Sequence, residues 1–310
     1  VGILTDLEVV SLNLLKLQIL ELIAKNKKIT AAAGELGLKQ PTVTYHMKSL
    51  EQDLGVKLFE NRSDKIFLTD AGKALQHYAS LINRLAAEAQ RITAEYGSLT
   101  RGRLSIGASY VPATYLLPQV LSHFNAANPG IELAVSVKPT PMIKEKLHNH
   151  EIDLGIFSSE AVELSGIRAR SLCDDEMVVI CSPGHPLAKL PELDPGWIAA
   201  SNFILHGAAS STRSLTDRWL AQHQVQLVQP LELDSIEAIK QTVRQARHIA
   251  FISRLAVLEE LQQGTLVAYP VPRNDFRRSI YCCYNTNRYD SRLTERFIDA
   301  LAAPQAESLF

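Results

Sequence analysis

Apolar side chains recur at helical spacing through the first hundred residues, and beyond them short apolar runs alternate with further helical stretches. Leu14, Leu17, Ile19, Leu20 and Ile23 mark one side of a first helix, and Asn13 suits its N-cap. Residues 30–50 then read as two short helices joined by a tight turn. Ala32 and Ala33 are small enough for a close helix crossing, Gly37 supplies the turn, and Pro41 suits a first helical turn, where its missing N–H costs nothing. Val43, Met47 and Leu50 fall at i, i+4 and i+7, one inward stripe. That stripe turns Thr42, Tyr45, Lys48 and Ser49 outward, with Thr44 on the flank and Gln40 beside them.

Gly55 stops this helix, two short alternating runs around residues 61–65 read as a two-stranded wing, and Thr69 opens a long helix over 71–96. Hydroxyls, an amide, a phenol and a lysine on one helix face can exchange hydrogen bonds with base edges and phosphates in the major groove of DNA. A helical hairpin with a merely solvated polar face fits the same twenty residues, and the wing that follows favours the DNA reader. In the long helix Leu75, Tyr78, Leu81, Ile82, Leu85, Ala89, Ile92 and Tyr96 recur at spacings of mostly three and four. The stripe can pack against the same helix of a second subunit or dock on its own chain; pairing would set two recognition helices on one face. Residues 97–102, Gly-Ser-Leu-Thr-Arg-Gly, look like a hinge.

Past residue 103 the pattern predicts strands at 104–109, 131–137, 153–158, 167–172, 177–182, 203–206, 249–253 and 266–270. Helices are predicted at 112–128, 142–149, 212–222, 236–246 and 294–301. Such alternation favours βαβ units around mostly parallel sheets, with ligands at the strands' carboxyl ends.

Composition narrows the picture. At 310 residues, 46% hydrophobic and 21% charged, the chain suits a small domain plus a larger one. The net charge of −1 hides a local excess, since residues 13–50 carry six lysines against Glu21 and Glu35. No apolar run reaches the roughly 18–20 residues that span a bilayer. The first residues lack a basic-then-apolar leader, so a cytoplasmic protein without membrane contact is expected. Cys173, Cys181, Cys282 and Cys283 show no zinc spacing, and an adjacent pair on a strand points to opposite faces, so buried reduced thiols are expected. No Gly-x-Ser-x-Gly elbow, Walker loop, Gly-x-Gly-x-x-Gly fingerprint or His-Glu-x-x-His helix occurs, and no catalytic residue, metal or cofactor is expected. A ligand-binding α/β protein or enzyme that uses the winged domain only for assembly remains the alternative to a DNA-binding regulator.

The string Ala32-Ala33-x-x-Leu36, Gln40-Pro41, Leu50-Glu51, Leu54-Gly55, Leu58-Phe59 and Leu68-Thr69-x-Ala71-Gly72 closely resembles the LysR-type transcriptional regulators, without a gap from residue 30 to 72. The remainder resembles the family more loosely. The resemblance implies an α/β protein overall. A winged helix-turn-helix domain would span 1–70, a linker helix and hinge 71–102, and a two-lobed effector-binding domain, similar to periplasmic binding proteins, 103–310. Lobe I would hold about 103–160 and 267–303, and lobe II about 165–264, with crossings near 159–166 and 264–270. Implied partners are promoter or operator DNA, a small-molecule effector, a second copy in a dimer or tetramer, and RNA polymerase.

On this reading Thr30, Gln40, Pro41, Thr42, Thr44, Tyr45, Lys48, Arg62 and Lys65 face DNA. Ser109, Tyr110, Thr114, Thr140, Pro141, Ser158, His206, Ser210, Thr212 and Phe251 line the effector cleft. Hydroxyls beside helix starts suit a carboxylate or similar anion, though each also suits simple capping. His206 would either bind an anion when protonated or stay neutral against backbone, and Arg213 would either complete an anion site or pair with Asp217. The chain departs from the family pattern at Lys28, where serine is usual, which leaves Thr30 to cap the second helix. It departs again at Tyr45 and Asn61, where arginine is frequent, at Asp64, and at Ala246-Arg247-His248, where a glycine is usual. The peroxide-sensing branch of the family carries a reactive cysteine near the segment 208–211, which holds none here.

Overall fold

The computed structural model describes residues 12–63, 65–97, 102–287 and 291–302, leaving aside the side chains of 94–97. Expectations for the leader, Asp64, Tyr96 and the middle of the hinge lie outside the described residues. The chain divides into two compact units, 1–97 and 98–310.

In the first unit α1 (Leu14–Asn26) begins where the Asn13 side chain accepts from the Lys16 N–H at 2.9 Å. Helices α2 (Ile29–Leu36) and α3 (Gln40–Leu54) follow, then strands β1 (Phe59–Arg62) and β2 (Lys65–Leu68), antiparallel, and α4 (Asp70–Gly97). Ile19, Ile23, Ala32, Ala33, Val43 and Met47 close one core cluster, and Leu17, Leu20, Leu50, Leu58, Leu68 and Ala79 a second. Gly37 and Gly55 end α2 and α3 at φ of 65° and 64°, with open space where a Cβ would stand, so backbone conformation rather than crowding calls for glycine. Gly72 is the opposite case: a Cβ there would lie 2.3 Å from the Leu58 carbonyl oxygen. Thr69 caps α4, its Oγ1 accepting from Gly72 N–H at 3.0 Å and donating to Lys57 O at 2.7 Å.

Thr30 does not cap α2. The extended residue before the helix is Lys28 (φ −143°, ψ 132°), which makes no side-chain capping bond, and Thr30 is already inside the first turn. A cap must precede the helix with extended backbone, which a residue two places in cannot do.

The second unit holds two five-stranded sheets. The first is built from β3 (Gly102–Ala108), β4 (Ile131–Val137), β5 (Leu154–Ser159), β6 (Ile167–Asp174) and β12 (Ser279–Asn285), in the order β4-β3-β5-β12-β6. The second is built from β7 (Met177–Cys181), β8 (Phe203–His206), β9 (Leu231–Leu233), β10 (Ile249–Ser253) and β11 (Val267–Pro270), in the order β11-β7-β10-β8-β9. Strand β3 is parallel to β4 and β5, and β8 to β9 and β10. Helices α5 (Leu117–Ala127), α6 (Thr140–His148), α7 (Pro195–Ala199), α8 (Ser211–Gln222), α9 (Ile236–Arg244), α10 (Leu258–Gln262) and α11 (Arg292–Leu301) connect and cover them.

Two local features differ from expectation. The helix foreseen over 112–128 opens as a π-helical turn, Pro112–Leu116, because Pro118 offers no N–H to the turn before it and crowds the carbonyl four residues back. Ala246 adopts a left-handed φ of 62°, the conformation that the family's glycine would take more cheaply.

The crossings between lobes come later along the chain than the pattern suggested. Strand β6 pairs along its whole length with β12 of the first sheet, and β11 pairs with β7 of the second. The chain therefore leaves the first lobe at residues 175–176 and returns over 271–278. Strand-length periodicity shows where strands lie but not which sheet takes them up.

Candidate functional site

The recognition helix α3 buries Val43, Met47 and Leu50 and presents Gln40, Pro41, Tyr45 and Lys48 to solvent, Tyr45 at 67% exposure. Thr42 and Thr44 are half-buried on its flanks, and Thr44 Oγ1 donates to Gln40 O at 3.1 Å, leaving its oxygen free to accept. Thr30 is exposed on α2. On the wing Lys65 is exposed, while Arg62 pairs with Glu60 at 2.6 Å and lies, with Lys27, over the Phe67 ring. That surface pair is weak and exchangeable.

Sequence reasoning did not foresee what Glu51 does. Its Oε1 accepts from the N–H groups of Leu58 and Phe59 at 2.9 and 3.1 Å, and its Oε2 takes Lys57 at 2.9 Å. The end of α3 is thus tied to the start of the wing. Partial burial would raise the Glu51 pKa, but the Lys57 bond and the two backbone donors outweigh it and hold the carboxyl below its usual range. The Leu50-Glu51 and Leu58-Phe59 pairs of the motif are the visible trace of this clamp.

In the second unit a cavity of about 590 Å³ opens between the lobes at the carboxyl ends of β3, β5 and β8. Ser109, Tyr110, Thr140, Ser158, His206, Ser210 and Thr212 all stand in its wall. Pro141 lies in an adjoining compartment of about 280 Å³, and Thr114, contrary to expectation, in neither wall. Helix starts converge here: Thr140 opens α6, and Ser210 caps α8 by accepting from Thr212 N–H at 3.2 Å. Ser109 Oγ accepts from Ser158 N–H at 3.4 Å, while Ser158 Oγ has no hydrogen-bonding partner among the described residues. Glu232 and Asp234 also line the cavity.

One further expectation is corrected, and two alternatives left open are decided. Phe251 lines neither space: its ring is buried against Phe203 and Trp219 in the core of the second lobe. Core clusters cover both faces of β10, Phe251 lying in the one around Trp219 and Ala250 and Ile252 in the one around Ile239 and Val243, so only the backbone of Phe251 reaches toward the site. His206 Nε2 donates to that carbonyl at 2.9 Å, and burial, together with the charge of Arg278, pushes the imidazole down to about 4. It is neutral at physiological pH, so it does not bind an anion as a cation. Arg213 is occupied by Asp217 at 2.9 Å, Glu232 at 2.8 Å and His206 O at 3.0 Å, so it pairs rather than completing an anion site.

The thiols are free, and burial pushes Cys173, Cys282 and Cys283 up to about 12 and Cys181 to about 11. Cys282 packs into the cluster on one face of its sheet and Cys283 into that on the other. Among the described residues no acid, histidine and cysteine cluster could hold a metal, and no helix is long and apolar enough to cross a membrane.

A winged helix-turn-helix followed by two α/β lobes around a cleft defines a class of ligand-responsive DNA-binding proteins. Comparison with known proteins is specific. Residues 14–73 match the bacterial regulatory helix-turn-helix protein of the lysR family, and residues 97–305 match the LysR substrate binding domain. The chain is 32% identical over 287 residues to the probable RuBisCO transcriptional regulator of Porphyra purpurea, covering 91% of this chain and 90% of that protein. Among solved structures it matches a full-length OxyR variant from Pseudomonas aeruginosa at a TM-score of 0.67 and 19% identity, over 96% of this chain and 94% of the other. It also matches full-length CbnR complexed with target DNA at a TM-score of 0.65 and 18% identity, over 94% and 99%. The chain belongs to the LysR family: it is a DNA-binding transcriptional regulator with an effector-binding domain, and its family is one of regulators rather than enzymes.

Proposed function

We propose that this regulator binds an interrupted promoter dyad as a homodimer or homotetramer and that a small anion, of carboxylate type, in the inter-lobe cleft changes that complex. The observation that carries the effector class is the 590 Å³ cavity, where hydroxyls and the starts of α6 and α8 converge. On the DNA side Gln40, Thr42, Thr44 and Tyr45 read base edges, and Lys48, Arg62, Lys65 and the α2 start with Thr30 meet phosphates. Pairing through α4 is supported by Tyr78, Ile82 and Leu85, which stand exposed on one side of a 28-residue helix. Such a complex works in the cytoplasm beside the chromosome and, where it activates, meets RNA polymerase at the promoter.

The test is a promoter-fragment retardation series with a screen of small carboxylates, amino acids and inorganic anions by thermal shift. Thr44→Ala weakens the cognate site more than random DNA, whereas equal loss on both removes Thr44 from base reading. Thr140→Val abolishes the effector response and leaves retardation intact; an unchanged response discards the cleft assignment.

A further inference from the structure

The cleft has a second, smaller compartment beside the main cavity, and the chemistry of the two differs. The compartment of about 280 Å³ is walled by Thr140, Ser158, Lys144, Arg218 and Arg278, with Glu160 as its one carboxylate among the described residues. The larger cavity carries Glu232 and Asp234 instead. A charged ligand is therefore sorted between the two spaces: its negative group is drawn to the smaller one and its uncharged body rests in the larger.

Two buried donors in the wall of that compartment lack acceptors. Arg278 is 5% exposed; Nη1 donates to Thr212 Oγ1 at 3.0 Å and Nε faces Asp175 at 3.0 Å, but Nη2 has no partner among the described residues. Ser158 is 2% exposed and its Oγ is equally without a partner. Buried N–H and O–H groups left unpaired are costly, and a guanidinium beside a hydroxyl is what a carboxylate, sulfonate or phosphate oxygen requires.

Their position links binding to lobe geometry. Arg278 ends the second crossing between lobes and Asp175 begins the first; Asp175 N–H donates to Arg278 O at 2.8 Å, and Ser253 Oγ hydrogen-bonds the Asp175 carboxylate. Beside the compartment, Glu160 at the end of the first lobe's β5 holds Arg218 of α8 by two bonds of 2.7 and 2.5 Å. Neither Ser158 Oγ nor Arg278 Nη2 is open to solvent in this arrangement, so an anion reaches them as the lobes adjust.

We infer that the smaller compartment takes the anionic group of the effector through Arg278 and Ser158, and that this group competes with Glu160 for Arg218, loosening the bridge between the lobes. The inference rests on the cleft reading above and adds to it the anchoring residues and the switch.

The probe is inorganic sulfate, measured on the full chain by equilibrium dialysis of the radiolabelled ion at constant ionic strength. Wild type binds one sulfate per chain saturably. Ser158→Ala weakens binding about threefold or more, Arg278→Lys tenfold or more, and Glu160→Gln, which frees Arg218, tightens it threefold or more. Arg278→Lys disturbs a buried ion pair and can lose its fold, so Ser158→Ala and Glu160→Gln decide the question. Absence of saturable binding to wild type overturns the inference. So does unchanged affinity in either of those two variants, which would place the ion elsewhere or leave the bridge uninvolved. If sulfate fails while a carboxylate from the screen still shifts melting and the promoter complex, the cleft reading stands and this anchoring falls. Loss of both DNA retardation and every ligand response sinks the reading itself.

Discussion

Replacing Glu51 with alanine removes one oxygen that holds two backbone N–H groups, at 2.9 and 3.1 Å, where the wing leaves the recognition helix. Hydrogen bonds to a charged acceptor contribute about 1.5–3 kcal/mol each, and two donors sharing one partly screened oxygen bring the combined loss to about 2–3 kcal/mol. The Lys57 pair adds little, because its ammonium is largely in solvent. Glutamine keeps an oxygen at the same place and should cost about 1 kcal/mol or less. The local readout is amide hydrogen exchange of residues 56–62 in the full chain, alongside DNA retardation. Alanine should raise exchange there by one to two orders of magnitude and weaken DNA binding, and glutamine should do far less of both. The pH sign follows from the lowered carboxyl pKa. The stabilisation is full above the ordinary carboxylate value of about 4.3 and is lost as pH falls through the lower folded value. Glutamine abolishes that dependence. Equal exchange in the alanine and glutamine variants would refute the clamp.

Other expectations concern the glycine contacts and the cleft. Gly72→Ala drives a methyl against the Leu58 carbonyl at 2.3 Å and should cost about 1–3 kcal/mol, seen as a lower melting temperature of the DNA-binding unit; an unchanged melt contradicts the close approach. Ala246→Gly relieves a left-handed alanine at some entropic cost and should raise stability by up to about 1 kcal/mol in denaturant titration, whereas destabilisation would show that the residue bears no strain. His206, held down to about 4, keeps the native state from binding a proton that the unfolded chain binds below about 6.5. Stability of the effector portion should therefore be full above 6.5 and decline by about 3 kcal/mol as pH falls toward 4, with His206→Gln flattening the curve in thermal melts.

What the residue order by itself determined is mostly local. The Asn13 and Thr69 caps, the glycine stops at 37 and 55, the inward stripe of α3 and the opposed faces of Cys282 and Cys283 are all settled within a few positions of the chain. Backbone periodicity and capping act over one or two turns, so they are legible without knowing what lies nearby in space. The hydroxyls after strand ends were legible for the same reason, because a strand's carboxyl end in an α/β lobe faces the ligand side. Tertiary structure decided the rest. Which sheet takes β6 depends on β12, more than a hundred residues later, and this moved both crossings. Packing within the second lobe buried Phe251 and His206, and the chain's two crossings brought Arg278 beside Asp175 and Thr212. Burial and charge partnership are properties of neighbours in space, and a single chain of letters carries no local mark of them.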